Sequence, residues 1–150
     1  VGMAGELAQE YGIVSWTEGE AMKAAISAFH AWRDRRGAGH AESEDICRSI
    51  RDFIERHQDA RFSAIHDTDK PVIRERAGYF EHDATGQRLW LLNTSALREA
   101  AAGYELKRIL DAVEEAGWLG STDTGKRSRR VRVDGTTHRF FPIKLVDEAP

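Results

Sequence analysis

Gly120-Ser121-Thr122-Asp123-Thr124-Gly125-Lys126 fills the first seven positions of a phosphate-binding loop, in which backbone N–H groups cradle phosphates and a lysine reaches them. The eighth position of that motif needs a Ser or Thr hydroxyl for magnesium, and here it is Arg127. The flanks are inverted too, with a helical pattern before and a strand pattern after, whereas phosphate binding sets a helix N-terminus against the anion. The stretch reads as a loop, and the isolated chain is expected to bind and hydrolyse no nucleotide. His66, Asp67 and Asp69 place an imidazole and two carboxylates within four residues, but His30, His40, His57, His82 and His138 show no paired spacing that would complete a metal site. No nucleophile with a recognisable base and no paired catalytic carboxylates stand out. The chain is therefore read as non-enzymatic, without cofactor or metal.

The third constellation is basic. Lys126, Arg127, Arg129, Arg130, Arg132, Arg139 and Lys144 face one acid, Asp134, between positions 126 and 144, a local balance of +6 in a chain of net charge −3. Such segregation of sign makes one face attractive to phosphate, whatever the total. Asp134-Gly135 between β-rich runs reads as a two-residue hairpin turn with positive φ at both residues. In that register Val133 opposes Thr136, Val131 opposes His138 and Arg130 opposes Arg139. Arg132 shares the arginine face, while Val131, Val133 and Phe140 point to the core. Like charges across a ladder cost up to about 1 kcal/mol, so an anion is expected there, phosphate first. The competing reading is that acids from the remaining −9 fold back onto these arginines. Pro142 is expected to break the register, since Phe141 and Ile143 would otherwise share the arginine side.

The elements that must position this hairpin follow from periodicity and turn chemistry. Residues 3–11 form a short helix stopped by Gly12, and Thr17-Glu18-Gly19-Glu20 reads as a capping box. Met22, Ala25, Ile26, Phe29 and Trp32 share one stripe of the following helix, which Gly37-Ala38-Gly39 is expected to end. A second helix is expected over 42–58, a short strand over 61–65 and a loop over 66–71. Strands at 76–82 and 87–93 flank a four-residue turn ending in Gly86, and Leu89-Trp90-Leu91-Leu92, apolar on both faces, reads as a central strand. Helices at 94–102 and 104–118 then precede the basic hairpin, 129–145. That order, strand, two helices, hairpin, is the plan of a winged helix.

The second of those two helices carries Glu105, Asp111, Glu114 and Glu115 against Lys107 and Arg108, so deep insertion into a major groove is not expected. Only its first turns, with Lys107 and Arg108, would approach a phosphate backbone.

At 150 residues a chain buries roughly 68 to 70% of its unfolded surface, enough for one domain with a helical appendage. A lone Cys47 excludes a disulfide framework and a cysteine zinc site, and it suits a reducing cytoplasm. No run of about 18 apolar residues and no leader pattern occurs, so no membrane partner is expected. Val1 in place of Met points to a piece of a longer protein.

Ala4-Gly5-Glu6-Leu7-Ala8, Tyr11-Gly12, Trp16-x-x-Gly19-Glu20-Ala21, Phe53-Ile54-Glu55, Arg61-Phe62, Arg76-Ala77-Gly78 and Gly117-Trp118-Leu119 together resemble the C-terminal region of a bacterial and phage domain-of-unknown-function family, often described as superfamily II helicases and inactivated derivatives. The resemblance covers nearly the whole chain. It implies a P-loop ATPase core upstream, with 1–36 as its trailing helical part and 42–145 as an appended winged-helix-like domain. The expected fold is thus α+β, a helical segment over 1–40 and a winged-helix-like domain over 41–150. The expected function is a nucleic-acid-contacting accessory to a helicase-like or primase-like ATPase of a prophage or mobile element. Its partners would be DNA, through Lys126, Arg127, Arg129, Arg130, Arg132, Arg139, Lys107 and Arg108, and the ATPase domain of the same chain. The alternative is a protein interaction or oligomerisation module of that ATPase.

Overall fold

A computed structural model describes residues 1–146, the side chains at 35, 36 and 38 excepted; the last four residues of the expected 41–150 domain lie outside it. Among the described residues the architecture is α+β, with four helices and one five-stranded sheet. Two compact units divide after Ala41.

The first unit holds α1 (Gly2–Glu10) and the opening turns of α2 (Glu20–Arg61). Gly12 follows α1 at φ +68°, a left-handed residue that ends the helix. Glu20 reaches back to the Thr17 N–H at 3.0 Å, the half of the capping box that the fourth residue supplies. A second carboxylate completes the helix start. Glu6 accepts the N–H groups of Gly19 and Met22, each at 3.0 Å, and these bonds hold its carboxyl below its ordinary range. Gly37 and Gly39 do not stop α2, against the sequence expectation of a break there and a separate helix over 42–58. Neither glycine takes the left-handed conformation a stop requires. Glycine in a helix costs about 1 kcal/mol against alanine, and the helix formers on either side outweigh that cost.

In the second unit the sheet order is β1-β2-β3-β5-β4. β1 (Phe62–Ala64) pairs in parallel with β2 (Gly78–His82), and every other pairing is antiparallel. Asp83 ties the β2–β3 turn by accepting from the Thr85 hydroxyl and from the N–H groups of Thr85 and Gln87, with Gly86 at φ +83°. β3 (Arg88–Leu92) is paired on both sides, as its apolar run requires. Trp90 and Leu92 face one cluster with Ile46, Ile50, Ile54, Leu97, Ile109 and Val113, from α2, α3 (Thr94–Ala100) and α4 (Leu106–Glu115). Leu89 and Leu91 face the other side, with Ile65, Tyr79, Val133 and Phe140. Asn93 caps α3 through its side chain, and Gly117 at φ +70° ends α4 so that Trp118 turns back into the core. Cys47 lies buried beside the Ala112 carbonyl, and burial pushes its thiol up to about 11. Strand, two helices and hairpin, with β5 between β3 and β4, give this unit the winged-helix connectivity.

Candidate nucleic-acid interface

The wing is the hairpin of β4 (Arg129–Val133) and β5 (Thr136–Lys144). Asp134 at φ 49° and Gly135 at φ 84° form its turn, and Arg130 stands opposite Arg139, Val131 opposite His138 and Val133 opposite Thr136. Positive φ at both central residues matches the right-handed twist of the strands, which is why Asp-Gly fixes this register. On the inner face Val133 and Phe140 are buried, and Phe140 meets Tyr79 edge-on at 5.6 Å.

Pro142 does not break the register, contrary to the expectation. β5 changes partner instead: 136–140 pair with β4 and 141–144 with β3, Leu91 opposite Pro142. The Pro142 carbonyl accepts from the Gly120 N–H at 2.8 Å, so the polar groups of this residue point away from β3 and the missing N–H leaves that ladder intact. Phe141 and Ile143 do share the side of Arg139, as strict alternation dictates. They are buried there because α2, α3 and α4 cover that face. The arginine face of the wing is therefore the continuation, beyond the helical cover, of the helix-bearing side of the sheet.

Eight basic residues were expected at the interface, and the fold divides them. Arg127 bridges two carboxylates of α4, Asp111 at 2.6 Å and Glu114 at 2.7 Å, which raises its own pKa. Arg129 is held at 2.5 Å by Glu81 of β2 and is largely shielded. Arg108 donates to Glu42 and to the Ser43 hydroxyl, each at 2.8 Å, and that hydroxyl donates to Glu115 at 2.7 Å. These three are matched to acids, whereas the competing reading, acids folded back onto Arg130, Arg132 and Arg139, is not seen among the described residues. The other five, Lys126, Arg130, Arg132, Arg139 and Lys107, are exposed and make no ion pair among the described residues.

Electrostatically, the consequence is a sorting. On α4 the acids Asp111, Glu114 and Glu115 are engaged by Arg127 and Ser43, which leaves its surface less acidic than its sequence. On the wing the same-face arginines keep their charge exposed, with Thr137 opposite Arg132.

One contact was not readable from sequence. Lys70 pairs with Asp134 at 2.9 Å, so the loop after β1 reaches the wing turn and balances its single acid. Arg76 fixes that loop by donating to the Pro71 carbonyl at 2.9 Å and the Ser63 hydroxyl at 2.7 Å, with its guanidinium 4.4 Å from the Tyr79 ring centre.

The remaining motifs take their places plainly. The 120–126 stretch lies between α4 and β4, and Asp123 accepts from the Arg130 N–H at 3.2 Å, so the loop buttresses the wing. Among the described residues no cluster of His, Cys, Asp and Glu could hold a metal ion, and no helix is long and apolar enough to cross a membrane. Comparison with family models, with curated proteins and with solved structures gives no match to this chain.

Proposed function

We propose that this chain is a nucleic-acid-contacting accessory domain that grips the phosphate backbone of DNA with one face of its wing, in the cytoplasm. A single observation carries the reading: among the described residues Arg130, Arg132 and Arg139 gather on one face without a carboxylate, while neighbouring arginines are matched to acids. Three like charges held together favour an anion, and a row of phosphates supplies one for each. Lys126 and Lys107 are the other expected cations left exposed and without an ion pair among the described residues. With Arg127 and Arg129 committed to acids, contact rests on about four cations, and base reading by α4 is secondary.

The resemblance in the sequence agrees with this reading and sets it beside a helicase-like or primase-like ATPase of a prophage or mobile element. In that setting the ATPase domain of the same chain performs the chemistry and this region contacts the track. A second reading, an interaction module, is favoured by one observation: Trp16, Phe29 and Trp32 are about half exposed.

Titration of labelled duplex and single strands at several salt concentrations tests the proposal. Four phosphate contacts on duplex DNA predict a slope of log K against log salt near about −3.6, with little sequence preference. An Arg130→Ala, Arg132→Ala, Arg139→Ala triple variant should flatten that slope to about −0.9. Equal binding by both proteins, or none by either at low salt, overturns the proposal in favour of the interaction module.

A further inference from the structure

Building on the nucleic-acid reading, we infer that Lys70 is a positioning residue for the wing, its ammonium holding the Asp134 turn from the side opposite Arg130, Arg132 and Arg139. Past the last β3 pair, Leu92 with Phe141, the hairpin has no third strand among the described residues: β4 is an edge, and 136–140 pair with β4 alone. Two strands by themselves are marginally stable in water, so the outer wing needs a brace. Its inner face supplies part of one, since Val133 and Phe140 are buried with Tyr79 and Ile65. Lys70 supplies the rest at the tip, where its Nζ lies 2.9 Å from the Asp134 carboxylate.

A surface ion pair normally contributes little, because two long side chains must be ordered to make it. Here one partner is already ordered. The Lys70 side chain is 16% exposed against 72% for Asp134, and its Nζ lies 5.9 Å from the centre of the Tyr79 ring. The next residue is fixed by Arg76, which donates to the Pro71 carbonyl at 2.9 Å and to the Ser63 hydroxyl at 2.7 Å while standing 4.4 Å from the same ring. Tyr79 in turn meets Phe140 of β5 edge-on at 5.6 Å. The loop, β2 and the wing thus close a ring of contacts: Arg76 to Pro71, Lys70 to Asp134, Phe140 to Tyr79. This brace meets the hairpin from the face that carries Tyr79, Val133 and Phe140, so the arginine face stays open. Holding the hairpin in place before it binds removes an ordering cost from the complex.

A double-mutant cycle on the whole chain tests this. Lys70→Gln should loosen binding to labelled duplex by up to about fivefold, the ceiling for such a pair, with the salt slope unchanged because Lys70 is not itself a phosphate contact. Asp134→Asn keeps a residue suited to the turn and removes the one acid between positions 126 and 144, which by charge alone should tighten binding. With the brace, Asp134→Asn should be up to about fivefold less favourable in the wild-type chain than in the Lys70→Gln chain, where only the lost repulsion remains. Amide hydrogen exchange of the free chain should quicken at 130–139 in each single variant and no further in the double. Faster exchange in a chain that binds no DNA would keep the brace and sink the nucleic-acid reading. Equal effects of Asp134→Asn in both backgrounds, a Lys70→Gln slope flatter by about 0.9, or unchanged exchange overturns the inference.

Discussion

Arg130 and Arg139 face each other across the β4–β5 ladder, and neither meets a carboxylate among the described residues. The pair is a local defect in stability that a bound anion would relieve. Arg139→Thr should therefore raise the unfolding free energy by up to about 1 kcal/mol in a urea titration and flatten the salt slope of duplex binding by roughly 0.9. A loss of stability instead would mean that the two guanidinium groups are not in conflict.

Arg127 and Arg132 stand five residues apart in sequence, the first paired with two acids and the second exposed. Arg127→Ala removes the bridge to Asp111 and Glu114, so the melting temperature should fall while the salt slope stays near its wild-type value. The cost should be about 1 kcal/mol or less for each partly exposed pair. Arg132→Ala should do the reverse, leaving the melting temperature in place and reducing the slope by roughly 0.9. Calorimetry and binding titrations on both variants give the comparison.

Glu6 caps a helix to which it does not belong. Bonds from the Gly19 and Met22 N–H groups favour its ionised form, so its folded pKa lies below its ordinary value of 4.5. The unfolded chain then binds more protons in acid. This contribution is complete above 4.5 and is lost as pH falls through the folded value. Glu6→Gln should lower helicity at neutral pH and remove the corresponding part of the acid transition, as followed by circular dichroism.

Gly78 opens β2 directly beside β3, and a Cβ at this position would come 1.9 Å from the Leu91 carbonyl oxygen. The three nearest atoms are all β3 backbone, which no rotamer change can move aside. Gly78→Ala should destabilise the second unit at or above the upper end of the usual range of about 1–3 kcal/mol for overpacking, read from the midpoint of urea unfolding.

The wing was legible because its determinants are local. Asp134-Gly135 supplies two positive φ angles at adjacent residues, and period-two alternation then assigns Val133 and Phe140 to the core and Arg130, Arg132 and Arg139 to the opposite face. The central position of β3 was legible from Leu89 to Leu92 for the same reason. The continuity of α2 was not, because a glycine allows a helix to end without compelling it, and Gly37 and Gly39 stay helical. Nor could charge counting tell which arginines are spent. Glu81 lies 48 positions from Arg129 and Glu42 lies 66 from Arg108, so only the folded chain brings them together.

The change of partner along β5 has a mechanical consequence. A pull exerted on the tip of the wing would be carried down one continuous strand into 141–144, where it bears lengthwise on β3. Bonds between strands loaded along their length share the force and yield together, whereas bonds peeled from an end yield one at a time. The wing is in this sense a lever anchored in the middle of the sheet, and tension at its tip is resisted by the same strand that organises the core.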